Sequence, residues 1–114
     1  MGDLSPHFSS HEFACHHCGV VKIVPVLPAK LELLRSRIGR PLPILSGYRC
    51  PVHNRAVGGA THSRHLVSDA VDFAQGLVRP LQAEAAGFRG IGVHNGWCVH
   101  ADLRPGRVVV FPDP

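Results

Sequence analysis

Asn95-Gly96 sits between two alternating runs, "GIGVH" at 90–94 and "WCVHADLR" at 97–104. Asn-Gly supplies the two positive-φ positions of a tight hairpin turn, so this stretch commits the chain to a β-hairpin. A second turn signal, Pro105-Gly106, separates the hairpin from "RVVVF" at 107–111. Three consecutive strands joined by short turns predict an antiparallel C-terminal meander. Upstream, Leu27, Leu31, Leu34 and Ile38 recur at helical spacing, with Pro28 suited to the first turn and Gly39 to the stop. "FSSHEF" and "RPLQAEAAGF" predict short helices, "PLPILS" and "DAVDFA" short strands, and "CHHCG" a tight loop. "GYRCPVHNRAVGGATHS" is Gly-rich and irregular, with room for one helical turn. The fold class expected is α+β, an antiparallel sheet packed with a few short helices. The 114 residues fit a single domain, 1–114, with a modest core.

Composition narrows the function. No apolar run approaches the roughly 20 residues of a membrane helix, so no membrane insertion is expected. Ten of the twelve cations are Arg, and they are scattered over a chain of net charge +4. Nucleic-acid binding calls for a basic stripe with interleaved aromatics, which is absent here. A mildly basic surface also suits an anionic polymer such as cell wall. The N-terminus "MGDLSPHFSS" has no basic region followed by an apolar one, so no signal peptide is expected and synthesis is cytoplasmic. Nine histidines exceed ordinary usage and point to a metal.

The histidines that matter sit beside acids. His65 and Asp72 are spaced H-x6-D, His65 at the end of the Gly-rich loop and Asp72 in the strand "DAVDFA". Ala70, Asp72 and Ala74 share one strand face. A carboxylate among small residues needs a partner, because an unpaired buried charge is costly. In "CVHADLR", strict alternation places Cys98, His100, Asp102 and Arg104 on one face and Trp97, Val99, Ala101 and Leu103 on the other. Two histidines and one aspartate make three ligands with an open position, the catalytic type of zinc site. The same residues could also be ordinary hydrogen-bonded histidines.

"SGYRCPVHNRAVGGATHSRHLVSDAVDF", followed by "GIGVHNGWCVHADLR", resembles the zinc D-alanyl-D-alanine carboxypeptidase-like metallopeptidases, the peptidase M15 type with the Hedgehog/DD-peptidase fold. The likeness covers nearly the whole chain. Ser63, His65, Ala70, Asp72 and His100 match the family core S-x-H-x-x-G-x-A-x-D and its later His in order. The resemblance implies zinc ligands at His65, Asp72 and His100, with one catalytic zinc ion per chain. It implies an Arg49 that binds an oxyanion or substrate carboxylate, and a Ser63 that bonds a ligand or substrate backbone. The implied reaction is hydrolysis of amide bonds in peptidoglycan stem peptides, by a D,D-carboxypeptidase or an endopeptidase acting as a monomer. Action on the wall then follows release from the cell, or belongs to a phage protein. Ser68 departs from the family's glycine and costs about 1–2 kcal/mol if that position needs positive φ.

Trp97 stands where many relatives carry an acid, so the proton-transfer group falls to His94 in preference to Asp102. A two-residue Asn95-Gly96 turn pairs His94 with Trp97, away from the zinc face; a three-residue loop pairs it with Cys98 and turns it inward. Asp102 could instead only orient a histidine. Without such a group, the alternative is a non-catalytic zinc-containing module that binds cell-wall peptide. Cys15, Cys18, Cys50 and Cys98 admit a structural zinc site, two disulfides or neither, with His16 and His17 able to help bind metal.

Overall fold

The computed structural model describes residues 2–59 and 63–113. Its centre is a sheet in the order β1-β3-β2-β4, made of β1 (Ala70–Asp72), β2 (Gly90–His94), β3 (Trp97–Asp102) and β4 (Val109–Pro112). The helices are α1 (Leu27–Ile38), α2 (Pro51–Ala56) and α3 (Pro80–Ala85), with 3-10 turns at Ser10–Phe13 and Arg64–Val67. α1 carries the expected stripe: Leu27, Leu31 and Leu34 are buried, and Gly39 ends the helix at φ +70°. α1 packs on α3, and α3 packs on β2 and β3. Val71, Ile91, Cys98 and Ala101 meet them in the core together with Phe13 and Phe88. One face of the sheet is thereby apolar and covered, which leaves the other free to carry polar groups.

The α+β class holds, but the sheet is mixed and the C-terminal strands form no meander. β4 pairs with β2 in parallel, Gly90 opposite Val109 and Gly92 opposite Phe111. The outer edge of β3 is taken by β1, with Asp72 opposite His100. β4 takes the open edge of β2. β3 ends beside the start of β2, Asp102 opposite Gly90, so a strand begun there runs in the direction of β2.

Two further expectations change. β3 holds a bulge: Gly92 pairs with His100 but Val93 with Cys98, so Val99 is the extra residue. The bulge shifts the alternation by one, and Cys98 joins the core instead of sharing the face of His100. Burial pushes the Cys98 thiol up to about 12, so it behaves as a small apolar side chain. The segment "PLPILS" forms no strand; only Ser46 makes an isolated bridge, to Asp72. Pro41 and Pro43 have no N–H to donate to a ladder.

Ser68 adopts φ +70° and ψ 19°, the left-handed conformation that a side chain disfavours. Ser68→Gly should therefore stabilise the fold by about 1 kcal/mol, the relief of strain less the added freedom of the unfolded chain. That raises the thermal midpoint by about 4 °C. An unchanged or lower midpoint in a calorimetric melt would show that the Ser68 side chain outweighs its backbone strain.

Candidate metal centre

The polar face of the sheet is organised as rows. Across it, Asp72 of β1, His100 of β3, Gly92 of β2 and Phe111 of β4 stand in register. The next row holds Ala70, Asp102, Gly90 and Val109. The glycines of "GIG" leave the space. A Cβ on Gly92 would lie 2.7 Å from Asp113 Oδ2 and 2.9 Å from His100 Cβ. A Cβ on Gly90 would overlap the carboxylate of Asp102.

His65 reaches this face from the 3-10 turn Arg64–Val67, whose N-cap Ser63 accepts the His65 N–H at 3.2 Å. The Nδ1 of His65 donates to the Gly47 carbonyl at 2.7 Å. A carbonyl only accepts, so the proton of the neutral ring is on Nδ1 and Nε2 carries a lone pair. That lone pair faces Asp72 Oδ1 at 3.0 Å. His100 mirrors the arrangement. Its Nε2 donates to Asp102 Oδ2 at 2.7 Å, and its Nδ1 faces Asp72 Oδ1 at 3.1 Å. Two imidazole lone pairs and a carboxylate oxygen cannot share a point without a cation or added protons. The ligand atoms of His65, Asp72 and His100 lie within 4.8 Å of one another. Two nitrogens and one oxygen, each oriented by a second hydrogen bond, suit a divalent transition metal with a fourth position open.

The electrostatics follow from this packing. Burial alone would raise Asp72, but the imidazoles of His100 and His65 set against it hold its carboxyl well below the usual range. Burial would lower His100, but Asp102 and Asp72 together raise it to about 9. Asp102 has no exposed surface. Despite burial, Arg104 and His100 keep it ionised: Arg104 Nε donates to Oδ1 at 2.8 Å and Nη2 to Oδ2 at 2.7 Å. Asp102 does not line the cavity beside the centre and meets it through the His100 ring.

Of the other sequence candidates, Arg49 donates from Nη2 to Asp72 Oδ2 at 2.9 Å, turning Oδ1 toward the histidines. Arg49 and Ser63 line a cavity of about 760 Å3 with His65, Asp72 and His100. His94 pairs with Trp97 across the two-residue turn, is exposed and does not line this cavity. Trp97 lies beneath the Arg79 guanidinium, 3.6 Å from its ring centroid. Among the cavity residues that sequence reasoning missed are Phe111 and Asp113. The Phe111 ring sits 5.5 Å from that of His100. Asp113 follows two residues later, held by its N–H to the Val93 carbonyl at 2.9 Å. Only the parallel pairing of β4 brings them here, and an antiparallel reading hides them.

Asp102→Asn should lower metal affinity about 10- to 100-fold, as loss of a ligand-orienting carboxylate does. It should also lower the thermal midpoint, because Arg104 loses its buried partner. Competition with a chromophoric chelator, run well below that midpoint, measures the first effect. Equal affinity in the two proteins would mean that Asp102 does not orient His100.

No curated protein matches the chain at a significant level of similarity. The family model described as Peptidase M15 matches residues 6–102. That span runs from the N-terminal segment through His65 and Asp72 to His100 and Asp102. The convergent donors and the matched span agree, and the chain belongs to the peptidase M15 family of metallopeptidases.

Proposed function

We propose that this chain is a zinc peptidase that hydrolyses amide bonds in the stem peptides of bacterial peptidoglycan. The observation that carries this is the convergence of His65 Nε2, His100 Nδ1 and Asp72 Oδ1 in the wall of an open cavity. A zinc ion there would supply Lewis acidity, polarising a carbonyl and making water nucleophilic near neutral pH. The chain's own residues do the rest. Arg49 holds Asp72 in its ligating orientation and offers positive charge to a carbonyl oxygen or terminal carboxylate in the cavity. Asp113 is the carboxylate that takes a proton from water and returns it to the leaving amine, a role worth about 100- to 10,000-fold in rate. It lines the cavity without the buried arginine pairing that occupies Asp102. Phe111 beside His100 gives one wall an apolar surface for a peptide side chain. Family membership and a positive net charge, matched to an anionic wall polymer, support the substrate class.

A second reading rests on Trp97. It stacks on Arg79 at the position, three residues before His100, where the family resemblance implies an acid, which favours a binding module that holds zinc and peptide without turnover.

A muropeptide digest with and without chelator separates the two. Turnover should require metal. Asp113→Asn should cut kcat about 100- to 10,000-fold with metal content unchanged, and His94→Ala should retain full activity. Wild type that holds its zinc yet cleaves no muropeptide would establish the binding module.

A further inference from the structure

Away from this centre, Cys15, Cys18 and Cys50 bring their sulfurs within 4.8 Å of one another. All three are free thiols. Cys15 and Cys18 stand on a tight turn. It is closed by Gly19 N–H to the Cys15 carbonyl at 2.8 Å and by Cys15 N–H to the Val20 carbonyl at 2.8 Å. Gly19, at φ +73°, takes the left-handed position that this turn needs. The turn points both sulfurs at Cys50, the N-cap of α2. Backbone N–H groups already point at sulfur: Cys50 N–H to Cys15 Sγ at 3.4 Å and His53 N–H to Cys50 Sγ at 3.4 Å. Nδ1 of His17 lies 3.5 Å from Cys50 Sγ.

We infer that Cys15, Cys18 and Cys50, with His17 as fourth ligand, form a second metal site that binds zinc structurally. Three sulfurs in one cluster leave one over for any disulfide, whereas a soft metal uses all three. With Zn–S near 2.3 Å and Zn–N near 2.1 Å, a tetrahedral site has an S···N edge of about 3.6 Å and S···S edges of about 3.8 Å. The His17–Cys50 separation is already such an edge. A Cys3His set closes the coordination shell, which makes the site structural, unlike the open centre on the sheet.

The site has a task in the fold. Cys50 ends the segment that supplies the Gly47 carbonyl to His65 and the Arg49 guanidinium to Asp72. The loop of Cys15 and Cys18 is otherwise joined to that segment by the Tyr48 N–H to the Phe13 carbonyl and the Cys50 N–H to Cys15. An ion here staples the N-terminal loop to the strip of backbone that orients the sheet-side donors.

Metal analysis of the purified full chain tests this, and it does not depend on peptidase activity. Wild type should carry two zinc ions. Cys18→Ser, at an exposed position, should fold and lose one; His100→Ala should lose the other and keep this one. Cobalt loaded into His100→Ala should show an intense sulfur-to-cobalt charge-transfer band, absent after Cys18→Ser is added. His17→Ala should release this ion to a chelator faster than His53→Ala does; the reverse order would overturn the choice of His17. Equal zinc content in wild type and Cys18→Ser, a cobalt spectrum without the sulfur band, or a disulfide among the three cysteines in non-reduced peptide maps would each overturn the site.

Discussion

Asp72 Oδ1 is the point on which the polar half of the molecule is built. Two imidazole nitrogens approach it at 3.0 and 3.1 Å, each belonging to a ring whose other nitrogen is committed to a distinct acceptor. Positive charge at that point is required, and every surrounding element is arranged to supply or preserve it. Arg49 steadies the free oxygen of Asp72, the Gly47 carbonyl fixes the ring of His65, and Asp102 fixes that of His100. Asp102 is in turn anchored by Arg104, so the chain of charges ends in a guanidinium at the cavity wall.

The sheet makes that arrangement possible through small residues and one irregularity. Gly90 and Gly92 remove the side chains that would fill the space above β2. The bulge at Val99 lets β3 put Cys98 into the core yet keep His100 and Asp102 on the polar face. A regular strand with the same residues would send the Cys98 thiol to the polar side and lose apolar contact beneath. Bulge and glycines are thus tied to the centre's geometry rather than to the stability of the sheet alone.

The two candidate donor clusters draw on different parts of the chain. The sheet-side donors come from the 3-10 turn, β1 and β3, whereas the thiols join the N-terminal loop to the start of α2. The segment 47–50 belongs to both, presenting a carbonyl and a guanidinium to one and a sulfur to the other.

The sequence by itself determined the local pieces. The Asn95-Gly96 hairpin and the leucine stripe of α1 with its Gly39 stop each follow from residues a few positions apart. The nomination of His65, Asp72 and His100 came from the family resemblance of their motif, while their meeting within 4.8 Å is a fact of the fold. Tertiary structure decided what depends on competition between distant segments. β1 occupied the edge of β3, which sent β4 to β2 in parallel and carried Phe111 and Asp113 into the cavity. The bulge set the face of Cys98, and the turn at 15–20 met the N-cap of α2 to gather three sulfurs. Edge availability and strand register are properties of the assembled sheet, so no local pattern of residues specifies them.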